Sequence, residues 1–268
     1  MGAKVNKRRL DVRLVSEGLA QNAQLAAALV LEGRVLVGGL PARSAGAQVR
    51  DDVQVSLKGG GEWVSRGAHK MLTAIERFHL DLRGKVCLDV GASTGGFTQV
   101  MLKHGAARVY SVDVGWGLLD WTLRNDPRVC VMERQNARFL TPELFSPLPD
   151  FASSDASFIS LRLLLGPMAQ VTTPEAEAVV LVKPQFEARR EDVGEGGVVR
   201  SPQVHETVLT ELIAFIAAET AWRVTQATWS SIRGPKGNIE YLLRLSKNAP
   251  FANIDAASLV AESHAALA

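Results

Sequence analysis

Apolar positions follow two different rhythms along the 268-residue chain, and the rhythm changes near residue 58. Before it, Leu10, Val12, Leu14 and Val15 lie near helical spacing, and Gly18 stops that run. A second helix is predicted over residues 22–32, with Asn22 as its N-cap and Gly33 as its terminator. Short strands are expected from Arg34 to Val37 and from Val53 to Leu57. Helix, helix, strand, turn and strand make a small α+β module over residues 1–58. Lys58-Gly-Gly-Gly-Glu62 then reads as a linker, because consecutive glycines carry the most backbone freedom. We place the linker at 59–64 and a second domain at 65–268. There, apolar strand candidates recur at 85–90, 108–114, 129–132, 150–154, 178–182 and 222–230, with helical segments between most of them. That alternation predicts an α/β fold whose sheet is mostly parallel, with helices on both faces. The last candidate, 238–245, follows its neighbour too closely for a parallel crossover, so the final pair is expected to be antiparallel.

Composition narrows this picture. With 47% apolar and 22% charged residues, the chain can bury a core and does not read as disordered. Its two cysteines, Cys87 and Cys130, make neither a disulfide framework nor a zinc site, so no metal is expected. No apolar run is long enough to span a bilayer, and the basic N-terminus has no apolar segment behind it. The expectation is a cytoplasmic protein with no membrane partner. The formal net charge of +2 conceals an asymmetry. Through Lys70 there are 11 Lys and Arg against 6 Asp and Glu; the remainder holds 19 against 22. A basic module on a mildly acidic body suits a polyanion partner, although a solubilising tail has the same signature.

The run from Cys87 to Thr98 follows a strand and opens a helix. Its glycines, Gly91, Gly95 and Gly96, let a backbone approach a ligand that a Cβ would block. The spacing matches neither a P-loop nor the dinucleotide fingerprint. An acid, Asp89, precedes the glycines and suits a ligand with a cationic amino-acid end, as S-adenosyl-L-methionine has. Asp113 ends the next strand, where a carboxylate can accept from ribose hydroxyls; it could equally cap a helix. The candidate cofactor wall comprises Asp89, Gly91, Ala92, Ser93, Gly95, Gly96, Phe97, Thr98, Asp113 and Asp155, with Asn136 placed to reach an adenine edge.

Four polar residues interrupt or follow apolar runs: Lys70, Asp155, Lys183 and Glu240. In a parallel sheet, Asp155 and Lys183 emerge at the same edge as the glycine turn. A lysine there, ringed by another lysine and acids, could have its pKa lowered and accept a proton from a sugar hydroxyl. A solvated surface charge is the plain alternative for any one of them. Trp116 and Trp121 suggest core packing or a pocket wall. The 194–200 loop suggests either a mobile lid or an ordinary loop.

The chain resembles the TlyA family, ribosomal RNA 2′-O-methyltransferases often labelled haemolysin A. The likeness runs along nearly the whole chain. It rests on Arg9-Leu-Asp with Glu32-Gly-Arg-Val, Ser65-Arg-Gly-Ala-His-Lys70, the 88–98 turn, Leu123-Arg-Asn-Asp-Pro, Asp155-Ala-Ser-Phe-Ile-Ser-Leu, Val182-Lys-Pro-Gln-Phe, Gly196-Gly-Val-Val-Arg and Gly234-Pro-Lys-Gly-Asn-Ile-Glu. The resemblance implies an N-terminal RNA-binding domain like that of ribosomal small-subunit protein four. It implies a Rossmann-like, FtsJ-type methyltransferase domain behind it, using S-adenosyl-L-methionine. Its Lys-Asp-Lys-Glu tetrad falls on Lys70, Asp155, Lys183 and Glu240. It implies cytidines of 16S and 23S ribosomal RNA, within 30S and/or 50S subunits, as substrates. Lys7, Arg8, Arg9, Arg13, Arg34 and Arg66 are then expected to meet RNA phosphates. Two positions depart from the family pattern: Asn22 and Ala23 stand where a Ser-Arg pair is usual, and Gly61 where an Arg often precedes the linker Trp. A methyltransferase acting on another RNA, and a non-enzymatic ribosome assembly factor, are the alternatives; a pore-forming role has no lipid-facing segment to support it.

Overall fold

The computed structural model describes residues 6–58 and 62–268. Gly59, Gly60 and Gly61 of the expected linker, and with them the Gly61 departure, lie outside the described residues.

The N-terminal part comprises β1 (Lys7–Arg9), α1 (Leu10–Ser16), α2 (Ala23–Leu31), β2 (Val35–Val37), β3 (Leu40–Pro41), β4 (Gln48–Arg50) and β5 (Val55–Leu57). Asn22 caps α2 as expected, its side chain accepting from the Leu25 amide at 2.8 Å. Leu10, Leu14, Ala26, Leu29 and Val35 form a core of their own. β2 pairs antiparallel with both β3 and β5. The sequence pattern misses the two-residue β3, and it misses β1 and β4, which pair antiparallel with each other. β1 is Lys-Arg-Arg and exposed throughout, and β4 is only Gln-Val-Arg, too short for its one buried residue to show a period.

The larger part comprises α3 (Gly67–Phe78), β6 (Val86–Val90), α4 (Gly96–Lys103), β7 (Arg108–Asp113), α5 (Trp121–Arg124), β8 (Val129–Glu133), β9 (Phe151–Ser154), α6 (Leu165–Gln170), β10 (Glu177–Val182), α7 (Pro184–Glu187), α8 (Pro202–Glu219), β11 (Arg223–Trp229), β12 (Tyr241–Ser246) and α9 (Ala256–Ala266). All seven expected strands are present, the last beginning at Tyr241 rather than Asn238. They form one sheet in the order β11-β12-β10-β9-β6-β7-β8. Five strands run parallel, from β10 to β8 across the sheet. β12 lies between β10 and β11, antiparallel to both.

Strand parity divides the core. Leu88, Val90, Tyr110, Val112, Ala152, Val180 and Val182 point to one face, with Leu209, Leu212 and Ile216 of α8. Cys87, Val109, Phe151, Val179 and Leu181 point to the other, under Met71 and Ala74 of α3 and Val100 and Met101 of α4. Cys130 is exposed, because β8 is a sheet edge. No helix among the described residues is long and apolar enough to cross a membrane.

Candidate active site

The topology decides which chain positions meet. Parallel strands release their C-termini at one edge of the sheet, where β6 leads to the glycine turn, β9 to Asp155 and β10 to Lys183. β12 runs the opposite way, so its first residue arrives at this same edge: Tyr241 is paired with Val182. Glu240, one residue earlier, is thereby set beside Lys183, although 57 positions separate them in sequence. α3 brings Lys70 across the top.

The four polar residues form one buried ion cluster. Lys70 Nζ lies 3.1 Å from Asp155 Oδ2 and 2.9 Å from Glu240 Oε2. Lys183 Nζ lies 2.7 Å from Asp155 Oδ1 and donates to the Asp155 carbonyl at 3.0 Å and to Ser157 Oγ at 2.8 Å. Lys70, Lys183 and Glu240 are buried. Burial opposes charge on Lys70, but Asp155 and Glu240 outweigh it, so its pKa is raised and it stays an ammonium. Burial likewise pushes the Asp155 carboxyl up, but Lys183 and Lys70 outweigh it, and the net direction is down. One carboxylate is therefore shared by two ammonium groups, whereas Glu240 has Lys70 alone within ion-pair distance among the described residues.

Beside this cluster a cavity of about 550 Å³ opens between the sheet edge and the N-terminal part. Gly91, Ala92, Ser93, Gly96, Phe97, Asp113, Asn136 and Asp155 line it, as do Lys70, Lys183 and Glu240. Asp113 uses both oxygens to brace the rim, accepting from Ser93 N at 2.8 Å and Gly115 N at 2.7 Å. Each oxygen retains a lone pair for a further donor. Asn136 Oδ1 caps the following turn by accepting from Arg138 N.

Three residues of the expected cofactor wall lie behind it. Asp89 is fully buried, its oxygens accepting from Thr98 Oγ1 at 2.7 Å and Ser153 Oγ at 3.0 Å. Burial pushes its carboxyl pKa up to about 6. Thr98 is likewise buried, and Gly95 faces Leu119 and Leu123. Asp89, Gly95 and Thr98 therefore shape the turn from within and do not line the cavity. Gly91 shows how tight the turn is. Its φ is +80°, and a Cβ there would stand 2.8 Å from the Ala156 Cα. Gly91→Ala is expected to destabilise the protein by about 2 kcal/mol or more, from left-handed strain plus a backbone clash. Urea denaturation of the two proteins measures it; an unchanged midpoint would remove the close-approach argument.

The expected RNA contacts divide. Lys7, Arg8, Arg9 and Arg66 are exposed. Arg8 pairs with Asp51 and Arg9 with Asp11 at the surface, where such pairs are worth little and exchange readily. Arg13 is not available: it is 4% exposed, pairs with Glu17, and donates to the carbonyls of Arg50 and Val53. Arg34 donates to the Val64 carbonyl and ties the two parts together. Asn22 also faces inward, donating to the Trp116 carbonyl while Trp116 N donates to Gln24. Trp116 and Trp121 are 52% and 71% exposed, so neither is a core residue. Asn238 anchors the 194–200 loop, accepting from Val199 N and donating to the Gly197 carbonyl.

Sequence reading missed Ser157, Thr94 and Glu32. The first two sit inside motifs whose other residues drew attention. Glu32 closes a helix of the other domain and carries no local sign of its destination. Among the described residues no group of three or more His, Cys, Asp or Glu side chains is arranged to hold a metal.

Residues 63–247 match the FtsJ-like methyltransferase family, and residues 8–55 match the S4 domain. The chain is 47% identical to the 16S/23S rRNA (cytidine-2'-O)-methyltransferase TlyA of Mycobacterium tuberculosis, covering 88% of this chain and 89% of that one. It is 38% identical to Hemolysin A of Brachyspira hyodysenteriae, over 87% of this chain and 98% of that one. A solved structure of a candidate hemolysin from Streptococcus thermophilus superposes with a TM-score of 0.75 at 40% identity, covering 98% of both chains.

Proposed function

This chain belongs to the TlyA family of FtsJ-like methyltransferases, and from that premise we propose that it transfers a methyl group from S-adenosyl-L-methionine to the ribose 2′-oxygen of a cytidine in ribosomal RNA. The observation that carries the reading is the convergence of Lys70, Asp155, Lys183 and Glu240 beside the glycine-turn cavity. The cavity volume falls within the range of small-molecule sites, about 300–1,000 Å³. Gly91 to Ser93, Phe97, Asp113 and Asn136 are positioned to hold the cofactor. The cofactor supplies an electrophilic methyl group on a sulfonium.

The two lysines take different parts because their partners differ. Lys70 is clamped by two carboxylates and acts as a fixed cation that orients the sugar. Lys183 shares Asp155 and otherwise holds only the neutral oxygens of Asp155 and Ser157. It can give up its proton without leaving Asp155 unpaired. The free amine would then take the proton of the 2′-hydroxyl as that oxygen gains the methyl group and the S–CH3 bond breaks to leave a neutral thioether. Lys183 is left as an ammonium against Asp155, so charge and protons balance. Placing both reactants at one edge supplies much of the rate.

Lys7, Arg8 and Arg9 on β1, with Arg66 at the cavity mouth, would contact RNA phosphates. Such contacts position the protein without reading sequence. The triple variant Lys7→Ala, Arg8→Ala, Arg9→Ala is expected to bind subunits more weakly and to lower the log-affinity-versus-log-salt slope by about 2–3. An unchanged slope in filter binding would place the RNA surface elsewhere. The subunit range proposed is that of the mycobacterial relative, both 16S and 23S RNA, and the place of action is the cytoplasm, where subunits are. The decisive experiment supplies methyl-labelled adenosylmethionine with separated 30S and 50S subunits lacking the modification. Label at a cytidine ribose 2′-oxygen supports the reading. Binding of both ligands without transfer would favour an assembly factor.

A further inference from the structure

Glu32 is the C-cap residue of α2 in the N-terminal domain, yet its side chain lines the cavity beside the glycine turn. Its Oε1 accepts from Thr94 Oγ1 at 2.5 Å, and Thr94 belongs to that turn. Its Oε2 is buried and has no hydrogen-bond partner among the described residues. No cation lies within ion-pair distance of it among the described residues. Arg34, which favours its charge, donates instead to the Val64 carbonyl, and Arg66, which also favours it, is exposed. Asp155 opposes its charge. Burial is the largest effect and pushes the carboxyl pKa up to about 7.

An unpartnered buried carboxylate oxygen is costly, and a donor that reaches it recovers that cost. The cavity wall offers this acceptor beside the glycine turn, among the residues proposed above to hold the cofactor. Two positive groups lie in the methionine end of that cofactor. A sulfonium has no hydrogen to donate, whereas an ammonium has three.

We propose that Glu32 is a cofactor-binding residue, supplied by the RNA-binding domain, whose Oε2 accepts from the α-ammonium group of adenosylmethionine. This rests on the adenosylmethionine reading given above. It means that the binding pocket is completed only when α2 is docked, held there by Asn22 and Gln24 against Trp116.

The test is isothermal calorimetry on the full chain with three ligands. Adenosylmethionine and adenosylhomocysteine both carry the ammonium, and only the first carries the sulfonium. Methylthioadenosine lacks the amino-acid end. Glu32→Gln, close to isosteric, is expected to weaken the first two about tenfold or more and to leave methylthioadenosine within about twofold. Glu32→Asp is expected to lie between, because it keeps the charge but shortens the reach. Equal weakening of all three ligands, or of none, overturns the proposal. Weakening of adenosylmethionine alone assigns the contact to the sulfonium and overturns it as stated. If the unsubstituted protein binds none of the three, the cofactor reading itself fails, which is a separate result.

Discussion

Lys183→Ala is expected to lower methyl transfer by about 10²–10⁴-fold while leaving adenosylmethionine affinity within about threefold. The amine that would accept the 2′-hydroxyl proton is gone, and no other uncharged nitrogen base belongs to the cluster. The fold should survive. Asp155 keeps Lys70 at 3.1 Å, so no buried charge is stranded. Lys183→Arg sharpens the test, because a guanidinium keeps the positive charge near Asp155 but does not give up its proton in a protein. It is expected to be as inactive as the alanine variant. Single-turnover transfer to unmodified subunits, with calorimetry for the cofactor, reads both quantities. Substantial transfer by Lys183→Arg would show that the lysine serves as a cation and not as the base.

Lys70→Met should fail in a different way, by destabilising the protein. It removes the only ion partner of Glu240 among the described residues and one of two partners of Asp155. Breaking a buried pair from one side costs about 3–5 kcal/mol, since the remaining charge is left in a dry site. The pH dependence follows from the signs. The Lys70 pKa is raised, so its contribution is fully present below its ordinary value of 10.5 and is lost as pH rises through the folded value. The Asp155 pKa is lowered, so its contribution is present above 3.8 and is lost as pH falls through the folded value. Between these limits the unsubstituted cluster is flat. In Lys70→Met, Asp155 keeps Lys183 while Glu240 is stranded and folds more readily protonated, so the deficit should widen from pH 5 to pH 8. Denaturation at both pH values measures this. A constant deficit would point to lost packing along the lysine stem rather than to stranded charge.

The stability cost also separates roles that sequence alone could not. Both lysines follow or interrupt apolar runs, and the resemblance places both in one tetrad. Only the distances show that Lys70 sits between two carboxylates and Lys183 beside one. The glycine turn shows the same limit. Its position after β6 was legible from local punctuation, and its conformational demands follow from glycine chemistry. Which of its residues face the cavity depends on how β6 and α4 pack, and Asp89, Gly95 and Thr98 face away from it.

What the sequence determined by itself was local and periodic. Short apolar runs between helical segments specified seven strands, because a sheet covered on both faces buries successive residues on either side. Asn22 and Gly33 bounded α2 through capping and left-handed geometry. The short connection before β12 required an antiparallel partner. The tertiary structure decided everything that depends on non-local pairing. It inserted β12 between β10 and β11, and that reversal delivered Glu240 to the edge that lines the cavity. It buried Arg13 against carbonyls and turned Arg34 toward Val64. It also laid α2 over the cavity and carried Glu32 from one domain into the site of the other. The physical reason is common to all of these. Spacing along a chain encodes the direction of a side chain relative to its own backbone, whereas a buried charge acquires its partner only when distant segments close around it.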